Sequence, residues 1–476
     1  MKKQNTLKKQ LYVLIMACLP LLTAQAAVTP ASALKSILPE VAASETATFE
    51  QVLQAAMNHD SEYRAARYTL EGERQEISMA RSQLLPRLGF AAGYAYEDSD
   101  NIYTDKDGGY WSEANKDQAR YSGKIHDNYW RFNIRQPIFD RRLNQDLNRA
   151  KNQVTAAEHR YQQVKQQLVF KVADVWLNLL YAQMQVHFSL ENLESLDLRL
   201  AQAERQDQLG VGDQLELLDI SARRDLAQAD LLAAQSELSE KLLEIQLMSG
   251  RKLLPPTHWV TTAHQLEVTQ QPQSIEAWNK QAIGNQAYQE QLARVAMAES
   301  TRLAKRAGHY PTLNLDLDYT NRSSDDEFRE KEGFTASLNL SLELYGGGRT
   351  SSALRQAQAR LNAEQAQADK VVLDAQQMIA VAWAKQQNLY QRLQALKNSM
   401  LSAEGYQQAA TRGETLGLKS QVDVVEANAR LFQARERHAE ALVAYLLSDL
   451  RLHLETGQLE PSKLQEYDQL FNQLNP

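Results

Sequence analysis

Pro311-Thr312-Leu313-Asn314-Leu315-Asp316-Leu317-Asp318-Tyr319-Thr320 alternates without a break, with Leu313, Leu315, Leu317 and Tyr319 on one parity and Asn314, Asp316, Asp318 and Thr320 on the other. A period of two belongs to a β-strand, whose successive side chains leave opposite faces. The same alternation returns in Phe334, Ala336, Leu338, Leu340 and Leu342 against Thr335, Ser337, Asn339, Ser341 and Glu343. An earlier pair carries it too: Leu88, Phe90, Ala92, Tyr94 and Tyr96 against Gly89, Ala91, Gly93 and Ala95, then Trp130, Phe132 and Ile134 against Arg131, Asn133 and Arg135. Each strand therefore has one apolar face and one small, polar or charged face. In a soluble sandwich the polar face meets water and the apolar face a core. In a membrane barrel the apolar face meets lipid and the polar face a wet lumen, over strands of about 9 to 11 residues. Strand length favours the barrel, and the aromatics Tyr94, Tyr96, Tyr129, Trp130, Tyr319 and Phe334 suit an interfacial girdle. Arg131, Arg135, Asp316, Asp318 and Glu343 are then the candidate lumen residues.

The two strand pairs belong to an internal duplication. Trp176 matches Trp383, Arg205 matches Arg412, Gly210 matches Gly417, Arg223 matches Arg430 and Gly250 matches Gly457, all 207 apart. Upstream, Pro86 matches Pro311 at 225 and Phe139 matches Tyr345 at 206, so the first half is longer by 19 residues (225 − 206). The surplus falls between Glu97 and Asn128, whose Asp, Gly, Asn and Tyr content reads as a loop.

Each repeat is expected to run helix, strand, strand, helix, helix. Residues 48–257 form the first, with strands near 87–97 and 128–139; residues 258–460 form the second, with strands near 311–320 and 333–345. Thr48-Phe49-Glu50-Gln51 fits a capping box and opens a helix expected to run to Leu85, ahead of Pro86. From Asp140 to Asp207 there is no proline or glycine, which allows a helix of about 100 Å. Tyr161, Val164, Leu168, Val172, Val175 and Leu179 make a narrow coiled-coil seam, so the helix needs neighbours. Gly210 and Gly417 read as turns between paired helices.

The chain begins with Lys2, Lys3, Lys8 and Lys9, an apolar run from Leu11 to Leu22 and Ala24-Gln25-Ala26, the pattern of a secretory signal peptide spanning 1–26. Residues 27–47 read as a linker and 461–476 as a C-terminal tail. No later run approaches the roughly 20 apolar residues of a membrane helix. Loss of the four lysines takes the net charge from −7 to −11 (−7 − 4), which argues against a general nucleic-acid binder. The only cysteine, Cys18, leaves with the signal, so disulfides and thiolate metal sites are excluded. Lipidation at Cys18 is the alternative, against which Ile15-Met16-Ala17 is a poor lipoprotein box.

Four strands cannot close a barrel, since closed barrels begin at about eight strands and open edges are not tolerated in lipid. Copies must join if the strands are in the membrane. The stretches Ala80-Arg81-Ser82-Gln83-Leu84-Leu85-Pro86-Arg87-Leu88, Gln136-Pro137-Ile138-Phe139, Leu344-Tyr345-Gly346-Gly347-Gly348-Arg349 and Gly413 to Ala427 resemble the TolC-like outer-membrane efflux and secretion channels. The resemblance covers nearly the whole mature chain, with both halves in order. It implies a mainly α chain with membrane β-hairpins, assembled as a homotrimer: a 12-stranded β-barrel in outer-membrane lipid, continued by a long periplasmic α-helical coiled-coil tunnel. It further implies a periplasmic adaptor and an inner-membrane ABC or proton-driven transporter as partners, and an acidic periplasmic entrance. Asp423 and Glu426 fall on the entrance carboxylates, with Glu216 as their first-half counterpart. Lys419 stands where the family has a gating arginine, Glu414 where it has a tyrosine, and Glu343 where a proline is usual. Three copies of each carboxylate round a narrow opening concentrate negative potential and favour cations. The alternative for Asp423 and Glu426 is a solvated helix start, where the macrodipole favours acids.

Enzyme chemistry finds little support. Gly346-Gly347-Gly348 lacks the G-K-[ST] ending of a phosphate loop. The nine histidines, His126, His187 and His309 among them, show no metal-ligand spacing, and no carboxylate pair stands out as acid and base. No cofactor or metal is expected, and transport through the duct is passive. A periplasmic coiled-coil adaptor or scaffold is the competing function; it explains the signal and the helices but not the duplicated strand hairpins. The cargo, secreted protein or small toxic molecule, stays open.

Overall fold

Thr48 opens the first helix as its capping box requires: Gln51 N donates to Thr48 Oγ1 at 3.4 Å and Thr48 N to Gln51 Oε1 at 3.0 Å. The computed structural model describes residues 45–102, 120–210, 212–263, 266–269, 273–325 and 329–473. The expected signal peptide 1–26, with Cys18, and nearly all of the linker 27–47 lie outside the described residues. Ala47–Pro476 forms one unit, preceded by the two-residue strand Glu45–Thr46.

The expected single helix from Thr48 to Leu85 is two helices, α1 (Phe49–His59) and α2 (Ser61–Ser82). Asp60 divides them because its side chain accepts from Tyr63 N at 2.8 Å and caps the second. Then α2 stops short of Leu85, since the residue before a proline disfavours the helical region. After the first strand pair come α3 (Arg141–Gln208) and α4 (Gln214–Ser249). The shorter α5 (Thr257–Thr262), α6 (Ile275–Gln281) and α7 (Gln286–Arg306) lead to the second strand pair. Beyond it run α8 (Arg349–Thr415), α9 (Gln421–Glu455) and α10 (Pro461–Asn472).

At 68 residues, α3 is about 100 Å long. It packs along α4, α2, α7 and α9, while α8 packs along α7 and α9. Its seam is real: Leu168, Val172, Val175 and Leu179 are buried, and Tyr161 and Val164 half-buried. Midway along, Phe49 meets Trp176 and Trp259 with centroids 6.2 and 6.0 Å away, and Phe471 stacks on Trp259 at 4.8 Å. The stretch set apart as a C-terminal tail, 461–476, thus holds a packed helix. Asp468 on α10 accepts from Phe49 N at 2.9 Å and Glu50 N at 3.3 Å, capping α1 across the fold. Among the described residues no helix is long and apolar enough to cross a membrane.

The strands β1 (Arg87–Ile102), β2 (Arg120–Phe139), β3 (Thr312–Ser324) and β4 (Lys331–Ser341) form one antiparallel sheet in that order. Phe90, Phe132, Tyr319 and Phe334 lie in register on one face, with Asn133 paired to Asp318 and Asp318 to Thr335 on the other. The apolar face is bare: Leu88 is 78 % exposed, Phe90 62 %, Phe334 65 % and Leu340 70 %. A side chain of that size is stabilised by roughly 1.5–3 kcal/mol when it leaves water, so this face requires an apolar surrounding. Two expectations need correction. Tyr129, counted in the aromatic girdle beside Trp130, points to the opposite face, as adjacent residues of a strand must. Glu97–Asn128, expected as a loop, continues as strand to Ile102 and from Arg120, because each strand satisfies the other's backbone from Glu97–Ile125 to Ile102–Arg120.

Candidate functional site

The two long helix pairs end in matching turns at the end of the molecule far from the sheet. In the first, Gly210 adopts φ 72° after α3, and Asp213 caps α4 by accepting from Leu215 N at 2.9 Å. In the second, Gly417 adopts φ 71°, a left-handed conformation that glycine takes without a Cβ penalty. The N–H groups of Leu418 and Lys419 both donate to Gly413 O, at 2.8 and 3.2 Å. Gly413 has a packing reason as well, since a Cβ there would meet Lys419 Cγ at 2.9 Å.

The acids of this segment are organised by local bonds. Asp423 completes a capping box with Ser420: Asp423 N donates to Ser420 Oγ at 3.2 Å, and Ser420 N to Asp423 Oδ2 at 2.9 Å. Lys419 Nζ lies 3.3 Å from Asp423 Oδ1. The Ser420 backbone N–H, then its hydroxyl, then the Lys419 ammonium hold the Asp423 carboxyl below its ordinary value. One turn on, Glu426 accepts from Arg430 Nη2 at 2.5 Å, and that guanidinium lies 5.6 Å from the Tyr406 ring centre. Glu216 sits in the first turn of α4, half-buried, with one carboxylate oxygen buried and unbonded among the described residues. No hydrogen bond or ion pair joins it to Asp423 there.

Sequence reasoning set Glu414 aside as a departure and missed its partner. Glu414, at the end of α8, forms an ion pair with Arg199 of α3, with only 16 % and 18 % of the two side chains exposed. This contact ties the first-half helix pair to the second. A capping box is legible as Ser-x-x-Asp, whereas nothing local marks two residues 215 positions apart as neighbours.

At the other end, Arg131, Arg135, Asp316 and Asp318 share the polar face. Arg135 Nε donates to Asp316 Oδ1 at 2.6 Å, and Asn339 Nδ2 to Asp316 Oδ2 at 2.8 Å, linking β2, β3 and β4. Glu343 lies past the end of β4, where it accepts from Arg349 at 2.9 Å and Thr350 at 3.0 Å and fastens the turn into α8. Among the described residues no group of three or more His, Cys, Asp or Glu side chains is arranged to hold a metal ion.

A model of the family described as outer membrane efflux protein matches residues 52–251 and 279–458, a stretch in each half. The chain belongs to the outer membrane efflux protein family. It is similar to outer membrane protein TolC of Salmonella enteritidis, 24 % identical over 434 residues that cover 88 % of this chain and 84 % of that one. It is also similar to the alkaline protease secretion protein AprF of Pseudomonas aeruginosa, 23 % identical over 422 residues covering 86 % of this chain and 84 % of AprF. The fold matches the open state of the MtrE outer membrane channel of Neisseria gonorrhoeae, with a TM-score of 0.69 at 15 % identity, covering 87 % of this chain and 89 % of that one. A member of this family is an outer-membrane channel for efflux or secretion, with its long helices in the periplasm, and not an enzyme.

Proposed function

We propose that three copies of this chain close a 12-stranded barrel and act as the passive exit duct of a tripartite export system. The observation that carries this is the four-stranded sheet itself, with β1 and β4 unpaired at its edges and one face of bare Leu, Phe and Tyr. Unpaired edges in hydrocarbon leave backbone groups unsatisfied, and strand pairing between copies removes them. Three sheets of four strands give twelve, and put Arg131, Arg135, Asp316 and Asp318 round a wet lumen.

At the far end, Asp423 and Glu426 make the periplasmic entrance acidic, with Lys419 and the Glu414–Arg199 pair holding the two tips in place. Exposed leucines surround both turns, Leu209, Leu215, Leu416 and Leu418 all above 70 %. A bare apolar tip of this kind fits a docking surface for a periplasmic adaptor. The chain carries no phosphate-loop motif, so the driving force comes from an inner-membrane ABC or proton-driven transporter. Likeness to AprF, a protease secretion protein, favours a secreted protein as cargo over small molecules.

Cells lacking this chain test the cargo assignment. Disappearance of one or more proteins from the medium, with unchanged sensitivity to toxic small molecules, is the expected outcome. An unaltered set of exported proteins together with drug hypersensitivity assigns the duct to small-molecule efflux instead.

A further inference from the structure

At the end of the sheet far from the helices, the polar face is not open. Ile125 is 0 % exposed and Asp127 3 %, whereas Arg131 and Arg135 farther along the same face of β2 are exposed. Two arginines from the other hairpin come down on Asp127. Arg322, paired in the sheet with Tyr129, forms an ion pair with it. Arg329, just before β4 begins, donates to Glu97 Oε2 at 2.5 Å and reaches Asp127 Oδ2 at 3.5 Å. Glu97 is the cross-strand partner of Ile125, and Asp127 lies two residues along β2. A guanidinium bridging those carboxylates therefore lies on the same face as Ile125, opposite Tyr94, Phe132 and Tyr319. His126 N donates to Asp325 Oδ2 at 3.0 Å and Asp325 N to His126 O at 3.2 Å, which fixes the neighbouring chain against β2.

Exposed ion pairs of long side chains contribute little, and a turn held only by one would swing freely into solvent. Here the pair is part of a network: Arg322 pairs directly with the buried Asp127, while Arg329 is held by Glu97 at 2.5 Å and reaches Asp127 at 3.5 Å. We propose that Arg329 forms a constriction at the outer mouth of the duct: bound to Glu97 and Asp127, its side chain lies across the lumen face of β1 and β2, and three copies narrow the opening. This rests on the assignment of the polar face as lumen. It places a second narrow point at the opposite end from the acidic entrance.

The test uses the full chain in whole cells and a single introduced thiol, since the only native cysteine, Cys18, falls in the expected signal peptide. Thr335→Cys places the thiol on the polar face, deeper than Arg329, and Phe334→Cys places it on the apolar face. A small membrane-impermeant maleimide is expected to label Thr335→Cys equally in both backgrounds. A polyethylene-glycol maleimide is expected to label it slowly in the parent and about ten-fold faster when Arg329→Gln is added. Glu97→Gln, which leaves Asp127 paired with Arg322, should accelerate the bulky reagent in the same direction if Arg329→Gln assembles poorly. Equal rates for the bulky reagent in parent and variants overturn the constriction. Labelling of Phe334→Cys but not Thr335→Cys by the small water-soluble reagent overturns the lumen assignment itself.

Discussion

Glu414 and Arg199 join the two helix turns, and under the proposed function this one pair holds the entrance. Each side chain is largely buried, so removing either leaves the other with an unpaired, partly desolvated charge, at about 1–3 kcal/mol. Glu414→Ala and Arg199→Ala are each expected to loosen the two tips, seen as higher single-channel conductance in planar bilayers; the double charge swap should restore the parent value. Unaltered conductance in both single variants would remove the pair from any role in closure. Under the same proposal the acids nearby act on selectivity. Neutralising Asp423 and Glu426 together is expected to lower the preference for cations in the same assay, because potentials from three copies add in a narrow opening. The pH dependence follows from the depressed value of Asp423. A carboxyl held below its unfolded value keeps its charge, and its bonds to Ser420 and Lys419, above the ordinary Asp value of about 3.9, and loses both as the pH falls through the lower folded value. The contribution of Asp423 to cation preference should therefore persist through pH 5 to 8 and fade only below the ordinary range; a loss near pH 6, with Asp423→Asn insensitive to pH, would contradict the assignment.

At the level of elements, α10 matters more than its place at the end of the chain implies. Asp468 caps α1 from 419 positions away, and burial pushes its carboxyl up despite the two backbone N–H groups it accepts. Asn keeps one acceptor, for Phe49 N, but turns its amide NH2 toward Glu50 N, so Asp468→Asn should cost less than Asp468→Ala, which should destabilise by about 1–2 kcal/mol. Resistance of the assembled protein to heating in detergent reads the difference. The sequence disclosed what is periodic or local: strand alternation about Phe132 and Leu317, the uninterrupted α3, the Thr48 cap and the left-handed glycines 210 and 417. It hid what depends on partners distant in the chain. Asp98 to Asp100 have poor strand propensity and continue as strand only because β2 runs opposite them. Glu343 shares the parity of Ser341, yet its partners Arg349 and Thr350 draw it into the turn. Nothing local in Arg199 announces Glu414.

For the whole molecule, the sheet is the part that cannot stand alone. Deleting β3 and β4 leaves two strands per copy and six in a trimer, fewer than the eight or so that close a barrel. Such a chain is expected to keep its helices by circular dichroism yet never enter the outer membrane in an oligomer that resists detergent. Recovery of a membrane-embedded trimer from the deletion would refute the barrel's stoichiometry.

The joint between β2 and β3 also governs how this wall is made. Phe132 and Tyr319 face each other in register although they lie 187 positions apart (319 − 132), with mostly helical chain between them. Contacts so remote in sequence form late, since the loop entropy is lost before any pairing offsets it. The two hairpins are thus complete as local units long before they can meet, and each carries its greasy side unprotected across an aqueous compartment. Under the proposed function such a face has to be shielded from water until lipid covers it.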